Sequence, residues 1–219
     1  MTASGAGSPY VQLLKQMGAG MAESGQHVNY VDVAPMTAKD PTGSAVTALA
    51  LPMIFGGMAS AVVFSRVFKN SRIKQLIGAL GVAILGGLVA SSILYFGFDA
   101  LEANFWPTTG VIILGIAAIS TTVLGLNSLL GIAGLGLGAV TMLFISNPLS
   151  GMATGMHWLP SPWGTIGQYL PLGAAGTALR SSAFFDGAGM TNSVIVLLCW
   201  IIAGITLAAA GAWRARRAR

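Results

Sequence analysis

The sequence predicts an all-α integral membrane protein: a five-helix transmembrane bundle with short re-entrant or interfacial helices on its outer face between the fourth and fifth spans. Two observations carry this prediction. Of the 219 residues, 54% are hydrophobic and 8% charged, with a mean hydropathy of +0.76. That is too little charge to cover a water-soluble globule of this size. The second observation is a length match: the bilayer core needs about 20 consecutive apolar residues per helix, and five windows of that order contain no Asp, Glu, Lys, Arg or His.

The windows run from Ala45 to Ser65, Gln75 to Phe98, Pro107 to Leu126, Ser128 to Ser146, and Asn192 to Trp213. Only a Leu126-Asn127-Ser128 turn parts the third from the fourth, which predicts a tight antiparallel hairpin. Small residues recur every four positions at Ala79, Ala83, Gly87 and Ser91, at Gly134 and Gly138, and at Gly204, Ala208 and Ala212. Such faces let helix backbones approach closely where no hydrophobic force drives association, within one chain or across a dimer.

Charge sets the expected orientation. Eight of the eleven Lys and Arg residues fall in two places. Arg66, Lys69, Arg72 and Lys74 lie in the first interhelical loop, and Arg214, Arg216, Arg217 and Arg219 in the tail. The positive-inside rule assigns both to the cytoplasm, and with five spans both do fall on one side. The six acids Glu23, Asp32, Asp40, Asp99, Glu102 and Asp186 then fall on the other. The expectation is a multi-pass protein of the plasma or inner membrane, amino terminus outside and carboxyl terminus cytoplasmic. The net charge of +5 is accounted for by this distribution, so no nucleic-acid partner is expected.

Residues 1–44 are expected to form an extracytoplasmic segment, 45–213 the transmembrane domain, and 214–219 a basic cytoplasmic tail. The first 44 residues have no basic region followed by an apolar one, as a signal peptide would. SPYVQLLKQMGAGMAES reads as a short amphipathic helix, and HVNYVDVAPM alternates as a strand does, with Val28, Tyr30 and Val33 on its apolar positions. The segment looks like the end of a larger outer region.

The stretch SPWGTIGQYLPLGAAGTALRSSAFFDGAG, residues 161–189, is nearly as apolar as the spans but is interrupted by Pro162, Pro171 and six glycines. It is too broken to span and too apolar for a solvated loop. Across the wider stretch between Asn147 and Asn192, short helices are expected near Pro148–Gly155, Trp163–Leu170 and Ala174–Phe184. Irregular backbone at membrane depth is tolerated where protein or a water-filled cavity satisfies it. Trp158, Trp163 and Tyr169 suit the interfacial belt, and Arg180 is expected to pair with Asp186 or a lipid phosphate.

Chemistry-bearing groups are sparse. The spans offer only hydroxyls, among them Ser91, Ser120, Thr121, Thr122 and Thr206, which ordinarily bond a carbonyl of their own helix. His27 and His157 lack ligand spacing, and the lone Cys199 reads as a small packing residue. GIAGLGLGAV, residues 131–140, lacks GxGxxG spacing and a preceding strand, and no GxxxxGK[ST] loop is present. No enzyme activity, cofactor or metal is expected, and any driving energy would enter through a partner.

DVAPMTAKDPTGSA before the first span, ALALPMIFGG opening it, the basic inner loop, the helical hairpin, and NPLSGM leading to LPSPWGTIGQYLPLGAAGTALRS together resemble the carboxyl-terminal membrane domain of the YhgE/Pip-like proteins, within the ABC-2 type transporter permeases. The resemblance covers residues 28–213. It implies a permease subunit exporting a hydrophobic or amphipathic substrate, paired with another membrane subunit as a homo- or hetero-oligomer and driven by a cytoplasmic ATPase. It places Arg66, Lys69, Arg72 and Lys74 at the partner-docking loop, and Pro148, Trp158, Pro162, Trp163, Tyr169, Pro171 and Arg180 in an outer gate. Family members carry a further span before the outer region, which this chain lacks. A non-transporting scaffold or surface receptor is the alternative.

Overall fold

A computed structural model of the chain describes residues 4, 8–32, 34–98 and 105–217. Among them it is all-helical: eight helices and no strand. Helix α1 (Ser8–Glu23) precedes span 1, α2 (Ser44–Val67), and span 2, α3 (Arg72–Gly97). Span 3 is α4 (Phe105–Leu130) and span 4 is α5 (Ile132–Leu149). The short helices α6 (Trp163–Gln168) and α7 (Pro171–Phe184) then lead to span 5, α8 (Thr191–Arg217).

All five predicted spans are present as long apolar helices. Span 3 is the hub, buried along most of its length and packed against spans 1, 2, 4 and 5 and against α7. The small-residue faces explain how it can be. Ala79, Ala83, Gly87 and Ser91 are all buried, and a side chain at Gly87 would run into Ile113 of span 3. A Cβ at Gly204 would meet the backbone of Thr121 and Thr122, and one at Gly211 would meet Ser128. Each stripe is therefore used inside the chain. On span 5 the packed positions are Gly204, Ala208 and Gly211, and the Ser128 hydroxyl donates to the Ala208 carbonyl at 3.0 Å.

The fold differs from expectation at four points. Span 3 runs through Leu126–Ser128 as helix and breaks at Gly131, whose φ of 61° suits the glycine that ends the turn. The strand expected over residues 28–33 is absent among the described residues. Residues 26–31 have no regular structure, Asp32 makes a single bridge, and Val33 lies outside the described residues. Cys199 is exposed on span 5 and not packed in the core. Ser120, Thr121 and Thr206 do bond carbonyls three or four residues back, whereas the buried hydroxyls of Ser91 and Thr122 have no hydrogen-bond partner.

The basic loop between spans 1 and 2 and the basic end of span 5 lie at one end of the bundle, since span 1 runs alongside span 3 with Gly57 against Ile119, and Gly211 of span 5 meets Ser128. Asp40 and Asp186 flank spans at the opposite end, while Asp99, Glu102 and Arg219 lie outside the described residues.

Asp40 fastens the entry to span 1. Its carboxylate accepts hydrogen bonds from the backbone N–H groups of Ser44 and Ala45, both at 2.8 Å, and from the Ser44 hydroxyl at 2.9 Å. Burial pushes its pKa up, but these donors outweigh that and hold it below the usual carboxylate value. A depressed folded-state pKa stabilises above the unfolded pKa, and the benefit disappears as pH falls through the folded value. Asp40→Asn is thus expected to cost about 1 kcal/mol at neutral pH. In thermal unfolding the gap to wild type should narrow as pH falls below the ordinary carboxylate value of 3.8, and a gap independent of pH would refute this role for the carboxylate.

Candidate functional site: a re-entrant hairpin

Span 4 is short. Its 18 residues reach about 27 Å, against about 39 Å for the 26 residues of span 3. Its last turns also loosen into π-helix over Val140–Ser146, immediately before Asn147-Pro148. Pro148 has no N–H to continue the ladder, so the helix ends at Leu149. The expected separate helix over Pro148–Gly155 does not form. Pro148 belongs to the end of span 4, turns follow, and a 3₁₀ turn covers Met156–Trp158.

The space above the short span is filled by the α6–α7 hairpin. Its tip lies deep: the Trp200 indole N–H donates to the Tyr169 carbonyl at 2.7 Å. Trp200 lies nine residues into span 5, about 13 Å along its axis. From this tip Pro171 opens α7 in the first-turn position that tolerates a missing N–H. Helix α7 then runs back toward the end of the bundle opposite the basic loop, with Ala175 beside Gly115 of span 3 and the Ser182 hydroxyl bonded to Thr108 at 2.8 Å. It is a buried half-helix starting inside the bundle, as expected for re-entrant structure.

Glycines make the fit possible. A Cβ at Gly167 would lie well inside contact distance of the Leu149 carbonyl oxygen, one at Gly173 would strike the Gly167 carbonyl, and one at Gly164 the Met156 carbonyl. Three backbones touch where any side chain would hold them apart.

Polar side chains satisfy the irregular backbone. The Arg180 guanidinium donates to the Gly151 carbonyl at 3.1 Å and to the Met152 carbonyl, which also accepts the Thr47 hydroxyl at 3.0 Å. Arg180 therefore pairs with backbone carbonyls, and the expected ion pair with Asp186 is not formed. Gln168 reaches the Ser150 carbonyl at 3.4 Å and accepts the Thr177 hydroxyl, while Ser146 accepts the Leu172 N–H at 3.2 Å. Thr47, Ser146, Gln168 and Thr177 were not singled out from sequence. Gln168 and Arg180 carry the largest hydrogen-bonding groups in an apolar stretch, and that was the available signal.

The remaining gate candidates fall around this hairpin. Pro148 and Trp163 meet at a shallow apolar depression of about 430 Å³ shared with Leu159 and Pro160. Pro162 precedes α6 after a cis peptide bond. Trp158, Trp163 and Tyr169 expose their side chains on the bundle surface.

The basic loop is far away and compact. Arg72 donates to the Gln75 amide oxygen at 2.9 Å, and Gln75 in turn donates to the Phe68 carbonyl at 2.8 Å. The Ser71 hydroxyl caps span 2 by accepting the Lys74 N–H. Arg66, Lys69 and Lys74 are exposed, while Arg72 is half-buried and engaged in closing the turn.

The chain matches no protein-family model, no curated protein and no solved structure. Its own five long apolar helices make it a multi-pass membrane protein in contact with the lipid bilayer.

Proposed function

We propose that the chain is the membrane subunit of a permease that exports a hydrophobic or amphipathic substrate, energised by a cytoplasmic ATPase and paired with another membrane subunit. The observation that carries this reading is the re-entrant half-helix α7. It enters the bundle to the level of Gly115 and is held by side-chain contacts to backbone, an arrangement suited to an outer gate that moves without unfolding a span. The outer gate comprises Arg180, Trp163, Tyr169 and the prolines around them. Arg66, Lys69 and Lys74 form the docking face, and Arg72 keeps its turn closed. The resemblance to ABC-2 permeases of the YhgE/Pip-like type points the same way, and the positive-inside rule favours a cytoplasmic basic end.

The test is copurification of the full chain from native membranes, followed by ATPase assay of the complex. An ATPase subunit is expected with wild type and is expected to be lost with Arg66→Glu, Lys69→Glu and Lys74→Glu combined, while Arg180→Met retains it. Recovery of the chain with no ATPase would end the energised-transport reading.

A further inference from the structure

Spans 1 and 2 touch near their connecting turn, where Gly78 makes room for Phe64, and they diverge toward the opposite end. Between them lies a groove of about 400 Å³, floored by Ile112 and Ile116 of span 3 and opening sideways past Pro52 and Val89. None of its lining side chains carries a hydrogen-bonding or charged group. Two glycines keep it open. At Gly57 and Gly87 an added Cβ would collide with span 3, but at the neighbouring Gly56 it would meet nothing within 4 Å, and at Gly86 only Ile116 at 3.5 Å. Both Gly56 and Gly86 line the groove, so a side chain at either would project into it.

The dimensions choose the occupant. Along span 1 the groove extends from Ala45 to Gly56, about 16 Å of helix axis. Counting all the space out to its walls and mouth, about 920 Å³, that length gives a mean section of about 57 Å², some 8 Å across, still too narrow for a helix of about 10–12 Å diameter. A hydrocarbon chain fits within that width, and the groove opens on the exposed apolar flank of spans 1 and 2, where Val89 and its neighbours meet the surroundings of the bundle. We propose that it holds one acyl tail of a membrane phospholipid, which enters laterally between spans 1 and 2. This inference is independent of the permease reading and stands if no ATPase is found.

The full chain in phosphatidylcholine vesicles doped with a mid-tail diazirine phosphatidylcholine provides the test. After illumination, peptide mass spectrometry gives the ratio of lipid adducts on Leu94 and Ile116, buried along the groove, to those on the outward-facing Ile77 and Leu85. In Gly56→Leu and in Gly86→Leu this ratio should fall to about a fifth of wild type or less, because the new side chain fills the groove where a tail would lie. Gly81→Leu, equally unobstructed but outside the groove, should leave it unchanged. The two filling variants lie on different spans, so a folding defect in one leaves the other to decide. An unchanged ratio in a folded filling variant, or adducts to a second protein chain in place of lipid, would overturn the proposal.

Discussion

Gly167→Ala is expected to unseat the α6–α7 hairpin and to destabilise the chain by about 3 kcal/mol, the upper end for overpacked sites. The new methyl would press on the Leu149 carbonyl, which is backbone and cannot rotate aside. Relief would require α6 to move off the end of span 4, straining the Gly173 contact and the Trp200 hydrogen bond to Tyr169. Gly136→Ala is the matched control. It lies in span 4 with open space around it, and the better helix propensity of alanine should make it neutral or stabilising by up to about 1 kcal/mol. Reversible unfolding in mixed micelles, with tryptophan fluorescence as readout, compares the two. Equal stability of both variants would mean that the hairpin is not seated on span 4.

Arg180→Met should cost about the same, near 3 kcal/mol, through the loss of charge-assisted hydrogen bonds worth roughly 1.5–3 kcal/mol each. The full sum is not expected. Thr47 still reaches the Met152 carbonyl, and removal of a largely buried cation recovers desolvation energy. The Gly151 carbonyl keeps the Gly155 N–H at 2.7 Å, but the guanidinium that ties this turn to α7 is gone, so the loop over residues 150–158 should become the first site of protease cleavage. Because Arg180 and Thr47 share one acceptor, Thr47→Val should cost more in the Arg180→Met background than alone. A double-mutant cycle measures that coupling, and additivity would show that the two side chains act separately.

Much of this architecture is legible in local sequence because the bilayer imposes simple demands. Each span must be long, uncharged and helical, and the windows from Ala45 to Trp213 meet those demands one by one. Helix breaks are less local. Leu126-Asn127-Ser128 looks like a turn, but its residues are good enough helix formers to continue, and the chain turns at Gly131, where a positive φ costs nothing. Pro148 reads as the start of a new helix, yet it terminates the old one, because whether a proline opens or closes a helix depends on the hydrogen bonds available before it.

The site divides in the same way. Pro162, Pro171 and the glycines mark the re-entrant segment in sequence, since residues that interrupt an apolar run must have their exposed backbone groups satisfied somewhere. Which groups satisfy them is a long-range matter. Arg180 has an acid six residues away in Asp186, and local reasoning pairs the two. In the folded chain its guanidinium turns to carbonyls 28 and 29 residues earlier, because the turn after span 4 brings those carbonyls beside it with acceptor capacity left over. The groove is likewise invisible in sequence. Gly56 and Gly57 are adjacent and chemically identical, and only the divergence of spans 1 and 2 decides that one faces span 3 and the other faces open space.

By itself, then, the sequence determined a five-span helical membrane protein with a basic end and a broken, re-entrant segment, because hydropathy, charge and helix breaking act over a few turns of chain. Only the tertiary structure decided how far span 4 reaches, what Arg180 binds, which glycines are packed and where the lipid-facing groove lies. Those features follow from close packing among helices distant in sequence, where a single methyl group or one hydrogen-bond partner selects between alternatives that look equal along the chain.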